Sequence, residues 1–150
     1  MKHDPVMDEM RSNPFIHIQS AKFHILPGEE EALINEGVFG KSLAEYLKLQ
    51  LSQGGYDIPF ICAEDWGWWV QLKGQPFTLG LCIYGLPKDD GSLDLCVRVS
   101  AVPERRWSWT RFKFIDQTPW VTKLHDDLKH IFEGDKEIST LGYFADFPLG

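Results

Sequence analysis

A series of strand patterns separated by short polar turns limits the possible folds of this chain more than any other feature. Residues 58–63, 66–72, 77–86 and 93–102 are rich in β-branched and aromatic side chains. The last turn, residues 88–92, reads Lys-Asp-Asp-Gly-Ser, a strong turn signal. Because parallel strands need a crossover of a dozen or more residues, turns this short predict an antiparallel meander.

Two amphipathic helices are predicted, one on each side of the meander. In the first, over residues 42–53, Leu43, Leu47 and Leu51 recur every four residues, and Ser42 and Glu45 fit a capping box. The second opens with Thr118 as the N-cap and Pro119 as the first helical residue. Its predicted buried stripe is Trp120, Leu124, Leu128, Ile131 and Phe132, and its predicted solvated side includes His125, Asp126 and Asp127.

The element order predicts an α+β domain with an antiparallel meander sheet of about four to six strands and two main helices packed on one face. Period-two patterns over residues 15–18 and 21–26 predict that one or both are strands, and residues 138–147 form a short edge strand or a packed tail. The length of 150 residues indicates one domain over residues 14–150, preceded by a loose N-terminal arm over residues 1–13.

The charge balance limits the classes of partner. The 22 acidic and 15 basic residues give a formal charge of −7, which argues against binding nucleic acid or an anionic membrane. A basic protein partner or a cationic ligand is compatible with this charge. The odd number of three cysteines, and the lack of a secretory signal at the start, predict a protein of the cytoplasm.

The period-two pattern of the last hairpin divides its residues between two faces. Leu79, Leu81 and Ile83 share a face with Leu95, Val97 and Val99, and we expect this face to meet the helices. The other face, which we call the back face, carries Cys82, Tyr84, Asp94, Cys96, Arg98 and Ser100, together with Trp69 if Trp68 points inward. The back face is a floor covered by the N-terminal arm or loops, a dimer contact or a ligand surface.

Two adjacent carboxylates, Glu64 and Asp65, precede Trp66, Trp68 and Trp69. Adjacent strand residues point to opposite faces, so the two acids serve one site only if the backbone bends, as Gly67 would permit. A bent pair could bind a cation or act as acid and base. The alternative is a turn whose acid caps backbone amides.

A second candidate surface is the loop that carries Arg105 and Trp107. Arginine stacks on indoles and grips carboxylates or phosphates, so this loop is either one wall of a recognition site or an ordinary surface loop. Signatures of a metal site, a catalytic nucleophile or a nucleotide-binding loop are absent from the sequence, so we predict neither a metal nor a cofactor.

Three stretches of the chain resemble segments of other proteins. They are residues 40–44 (Gly-Lys-Ser-Leu-Ala), 64–68 (Glu-Asp-Trp-Gly-Trp) and 124–128 (Leu-His-Asp-Asp-Leu). With these the chain resembles a group of small bacterial proteins to which no activity is assigned. The resemblance spans roughly residues 22–132 and implies only that helix, meander and helix recur as one unit.

The predicted function is a non-enzymatic module that binds a protein or small ligand, an immunity-type protein being one variant. Its predicted binding residues are Glu64, Asp65, Trp66, Trp68, Trp69, Tyr84, Arg98, Arg105 and Trp107. One alternative is a small hydrolase or isomerase with Glu64 or Asp65 as general acid or base. Another is a structural homodimer joined through Trp69 and Tyr84.

Overall fold

The computed structural model describes residues 13–32, 38–74, 77–102 and 117–149. Within these ranges the chain forms an α+β fold with an open six-stranded antiparallel sheet. Its elements are β1 (Phe15–Gln19), α1 (Glu29–Ala32), α2 (Lys41–Gln53), β2 (Asp57–Glu64), β3 (Gly67–Lys73), β4 (Thr78–Pro87), β5 (Leu93–Val102), α3 (Thr118–Gly134) and β6 (Ser139–Phe144).

The strand order is β2-β3-β4-β5-β1-β6. The meander of β2 to β5 is confirmed, as is the edge strand at the C-terminal end. Of the two early period-two patterns, only residues 15–19 form a strand, which lies between β5 and β6 and pairs Ile16 with Val97. No sequence pattern indicated this insertion, because alternation predicts a strand without naming its neighbours.

One face of the sheet supplies the hydrophobic core. On the central strands, Leu81, Ile83 and Val97 are fully buried, and they belong to one cluster with leucines of α2 and α3. The helical members of that cluster are Leu43, Ala44, Leu47, Leu51, Leu124, Leu128 and Phe132. We call this side of the sheet the core face.

The start of α2 corrects the predicted capping box. The N-cap residue is Gly40, which has no side chain that could act as a cap, and neither Ser42 nor Glu45 caps the helix. Instead, the fully buried Glu29 accepts hydrogen bonds from the Gly40 amide at 2.9 Å and the Lys41 amide at 3.1 Å. A carboxylate there stabilises the helix N-terminus as a cap would, but it comes from α1, so no local motif reveals it.

The second long helix, α3, also differs from its predicted pattern. Its N-cap is Gln117 rather than Thr118, without a side-chain capping bond. Trp120, predicted in the buried stripe, is 38% exposed and packs its ring edge-on against Phe77, whereas His125, predicted on the solvated side, is only 1% exposed. His125 lies beside Tyr143, with ring centroids 6.2 Å apart, because β6 returns along this side of the helix.

Two tyrosine–aspartate contacts anchor α3 to the rest of the chain. At its C-terminal end, Asp135 accepts hydrogen bonds from Lys22 at 2.6 Å and from Tyr46 at 2.7 Å. These two donors lower the pKa of Asp135 to about 2. In the middle of the helix, the Tyr56 hydroxyl donates to Asp127, and burial raises the pKa of Tyr56 to about 12.

Some of the predicted elements lie outside the described residues. They are the N-terminal arm up to residue 12, residues 75–76 of the turn that precedes the third strand pattern, and the loop that carries Arg105 and Trp107. Among the helices that the structure describes, none has the length and apolar character needed to span a membrane.

Candidate functional site

The acidic stretch before the tryptophans forms the tight turn between β2 and β3. Glu64 is the last residue of β2 and pairs with Gly67, the first of β3, so Asp65 and Trp66 are the two residues of the turn. Residue 67 must be a glycine because its backbone passes close to β4. A Cβ at this position would lie 2.2 Å from the carbonyl oxygen of Ile83. The turn therefore packs against β4 and directs Trp66 toward Tyr84, 5.4 Å away between ring centroids.

The two carboxylates of this turn differ in their surroundings. Glu64 is half-buried and accepts a hydrogen bond from the Cys62 thiol at 3.5 Å. Asp65 is exposed at the tip of the turn. Among the described residues, neither acid is fully enclosed, whereas a general acid or base with a raised pKa usually lies in a closed pocket.

The tryptophans after the turn separate onto the two faces of the sheet. Trp68 is 3% exposed and belongs to the core, whereas Trp69 points to the back face. The Trp69 indole N–H donates to the Gln71 side chain at 2.7 Å. Its ring lies over Gly80, where a Cβ would come within 2.3 Å of the indole, so the glycine makes room for Trp69.

An apolar cavity of about 410 Å³ lies on the back face, near the end of β4. It takes side chains from β1, the segment before α2, the β2–β3 turn, β4 and the C-terminal tail. We call this cavity the aromatic basin, and its lining residues are Phe15, Val38, Trp66, Tyr84, Leu86 and Phe147. A volume of this size falls in the range of small-molecule sites.

Val38 reaches the basin because its segment continues the sheet. Phe39 pairs with Gly85 as an isolated bridge, its amide donating to the Gly85 carbonyl at 2.8 Å. The segment thus runs beside β4 just beyond the first residue of β3, and alternation sends Phe39 to the core face and Val38 to the back face. A side chain at Gly85 would block this pairing, since its Cβ would lie 2.4 Å from the Phe39 carbonyl oxygen.

The aromatic rings of the basin are close together and mutually tilted. Tyr84 lies at the centre of the group, 5.0 Å from Phe147, 5.4 Å from Trp66 and 6.5 Å from Phe15 between centroids. The planes of these pairs meet at 73°, 49° and 57°. Burial raises the pKa of Tyr84, so its hydroxyl stays neutral at physiological pH.

Arg98 is a charged predicted residue that contacts one of these rings. Its guanidinium carbon lies 5.3 Å from the centroid of Phe15, within the range of a cation–π contact. The side chain is exposed on β5, opposite Cys82. Of the predicted binding residues, the structure therefore brings Trp66, Trp69, Tyr84 and Arg98 onto one face.

A histidine–aspartate pair that sequence reasoning did not single out lies beside the basin. His17 on β1 bonds Asp94 on β5 at 2.5 Å, and Asp94 pairs in register with Leu86 of the basin. Cys96 lies opposite His17, so a thiol, an imidazole and a carboxylate are neighbours. Burial raises the pKa of Cys96 to about 12, which keeps the thiol protonated and argues against a nucleophilic role.

The three cysteines are all free. Cys82 and Cys96 are diagonal neighbours, because Cys82 pairs with Arg98 and Cys96 with Tyr84. Burial raises the pKa of Cys82 as well. Burial therefore favours the protonated form of both back-face thiols, which disfavours a nucleophilic role.

Arg105 and Trp107 lie outside the described residues. Among the residues that are described, no three histidine, cysteine or acidic side chains are placed to hold a metal ion. Sequence reasoning missed Phe15, Val38, Leu86 and Phe147 as site residues. The alternation of β1 placed Phe15 and His17 on one face, but nothing local indicates that Val38 and Phe147 reach it.

Comparison of the chain with family models, with curated proteins and with solved structures gave no match. What the protein can bind is therefore inferred from the geometry of the back face.

Proposed function

We propose that this protein is a binding module that holds an apolar organic group, from a small molecule or a partner, in the aromatic basin. One observation carries the proposal: six apolar or aromatic side chains from five separate chain segments converge on one cavity of about 410 Å³. Apolar surface gathered in a concave site of this size is the usual setting of a ligand site.

The division of the sheet supports this proposal. We infer that α2 and α3 both cover the core face, because their buried leucines share one cluster with the apolar residues of β3, β4 and β5. The back face is then the side on which large apolar groups remain partly exposed, among them Phe147 at 47%. Such exposure is costly in water unless a ligand or partner covers it.

The basin favours binding over catalysis. Among the described residues that line it, none is a carboxylate, a histidine or a thiol, and the candidate acids Glu64 and Asp65 lie outside it. The adjacent Cys96 is held as a neutral thiol by burial. The described lining can therefore hold a ligand by burying its apolar surface and by contacts with aromatic rings, and it offers no group that would react with the ligand.

A neutral apolar dye, N-phenyl-1-naphthylamine, tests the proposal by its fluorescence increase on transfer out of water. We expect saturable binding to the wild type, weakened about tenfold or more by Phe147→Ala, since burying a phenyl ring contributes about 1.5–3 kcal/mol. Phe60→Ala is the matched control, because Phe60 is also 47% exposed on this sheet but does not line the basin.

The proposal is overturned if the wild type shows no saturable dye binding, or if Phe60→Ala weakens binding as much as Phe147→Ala. Sedimentation of the wild type and Phe147→Ala at micromolar concentration checks the homodimer alternative. A wild-type dimer that Phe147→Ala converts to monomer would assign the basin to a second copy of the chain.

A further inference from the structure

The rings of the basin are arranged so that one bound group can touch several of them at once. Four aromatic residues contribute, and the centroids of neighbouring pairs are 5.0 Å to 6.5 Å apart. Their planes are tilted by 49° to 73°, so the ring faces point in different directions. Aromatic faces carry negative potential, and several faces around one point attract a cation.

The charges around the basin also favour a cation. Asp65 adjoins Trp66 and Asp146 adjoins Phe147 along the chain, and both aspartates are exposed. Asp94, bonded to His17, is the register partner of Leu86. The whole chain carries a formal charge of −7. These carboxylates are neighbours of lining residues but do not line the basin themselves, so they would attract a cation while the apolar lining would contact its carbon groups.

Arg98 is a positive charge beside these rings, and it acts against the binding of a cation. Its guanidinium carbon lies 5.3 Å from the centroid of Phe15 and so already makes one cation–π contact with the group. Trp66 and Phe147 each pack against Tyr84, and these three rings form the rest of the basin's aromatic lining. The Phe15 contact shows that a ring of the basin accepts a cation, and the charge of Arg98 would weaken the binding of a second cation by repulsion.

From this geometry we propose that the group held in the basin is an organic cation with apolar substituents, of the quaternary ammonium type, carried by a small molecule. This inference depends on the proposed function and adds the charge and chemical class of the ligand. A trimethylammonium group suits the basin because its charge is spread over methyl groups that need no hydrogen-bond acceptor, and the lining offers ring faces and aliphatic carbon.

Choline and its neutral carbon isostere, 3,3-dimethylbutan-1-ol, form the decisive pair of probes. They have nearly the same shape, so burial of apolar area contributes equally and the difference in affinity isolates the charge. We expect choline to bind about tenfold more tightly, which corresponds to a cation–π contribution in a partly desolvated site. Calorimetric or NMR titration of the wild-type chain measures both affinities.

Two variants and one control variant sharpen the test. Trp66→Ala should weaken choline binding about tenfold, while Trp120→Ala, an exposed tryptophan outside the basin, should leave it unchanged. Arg98→Gln should tighten choline binding severalfold, because it removes the repelling charge, and should not change the affinity for the neutral isostere. Circular dichroism confirms that each variant is folded.

Each result of these titrations either supports a cationic ligand or overturns it. Equal affinity for choline and its isostere, or weaker choline binding in Arg98→Gln, overturns the cationic ligand and leaves an apolar binding site, provided that N-phenyl-1-naphthylamine still binds. Tighter binding of 3,3-dimethylbutanoate than of choline would assign the basin to an anion paired with Arg98. If the dye fails to bind as well, both the inference and the proposed function are wrong.

Discussion

The two faces of this sheet are built from the same strands but differ in composition and burial. Neighbouring residues on β4 show the contrast: Leu81 is fully buried on the core face, whereas Cys82 is half-buried on the back face. The core face carries mainly aliphatic side chains, together with Trp68 and Phe39. The back face carries aromatic rings, thiols, a histidine–aspartate pair and an arginine.

From this contrast we infer that the core face mainly determines the stability of the fold and that the back face mainly determines binding. A face whose side chains are fully buried contributes mainly to the free energy of folding, since every methyl group there has been removed from water. A face whose rings remain partly exposed has free energy still to gain from a ligand. Substitutions on the core face should therefore change stability, and those on the back face should change binding.

The largest expected difference comes from the adjacent pair on β4. Leu81→Ala should lower the free energy of unfolding by about 3 kcal/mol, because it leaves a cavity in a closely packed core. Cys82→Ala, one residue along, should lower it by about 1 kcal/mol or less, since it removes a single half-buried atom. Urea denaturation measures both, and equal losses would contradict the division between the faces.

A smaller effect is expected from Glu29, a buried carboxylate that stabilises the start of α2. Glu29→Gln replaces an acceptor of backbone N–H bonds from Leu26, Gly40 and Lys41 with a neutral amide. We expect a loss of about 2 kcal/mol in the free energy of unfolding, measured by urea denaturation. The exposed neighbour variant Glu30→Gln is the control and should change it by less than about 0.5 kcal/mol.

The smallest effect concerns Asp135, which bonds Lys22 and Tyr46 at the C-terminal end of α3 and does not line the basin. Its folded-state pKa of about 2 is below the ordinary value of 3.8, so its contribution is complete above about pH 4 and is lost as the pH falls through 2. Asp135→Asn should cost about 1 kcal/mol at pH 7 and flatten the acid dependence of stability in that window.

The control for that acid dependence is Asp89→Asn, which removes a carboxylate from the exposed turn between β4 and β5. Denaturation followed at several pH values between 2 and 7 should give this variant the same slope as the wild type. An unchanged slope in Asp135→Asn would show that Asp135 does not carry the effect.

The sequence predicted those parts of the fold that depend on local periodicity. The turn at residues 88–92 and the leucines of α2 each indicate their own geometry, because turn residues and a 3.6-residue period act over a few positions. The division of β4 and β5 into two faces followed from alternation alone. Alternation is also sufficient to predict that Tyr84 and Arg98 share one face.

The features that the sequence did not predict depend on contacts between distant segments of the chain. Glu29 rather than Ser42 stabilises the start of α2, and His125 is buried by a strand that follows its helix. The basin needs Val38 and Phe147, which reach it only through the pairing of residue 39 with β4 and the return of the C-terminal tail. No local pattern encodes such meetings, so the predicted site centred on the acidic turn instead.

The indole N–H signals of Trp66 and Trp68 test the central claim most directly, because the two residues lie two positions apart with Trp68 in the core and Trp66 in the basin. ¹H–¹⁵N spectra would be followed during titration with 1-naphthylmethanol, a neutral aromatic alcohol, and assigned with Trp66→Phe and Trp68→Phe. We predict a saturable shift of the Trp66 signal and a stationary Trp68 signal. An unmoved Trp66 signal, or an equal shift of both, would contradict the assignment of binding to the basin.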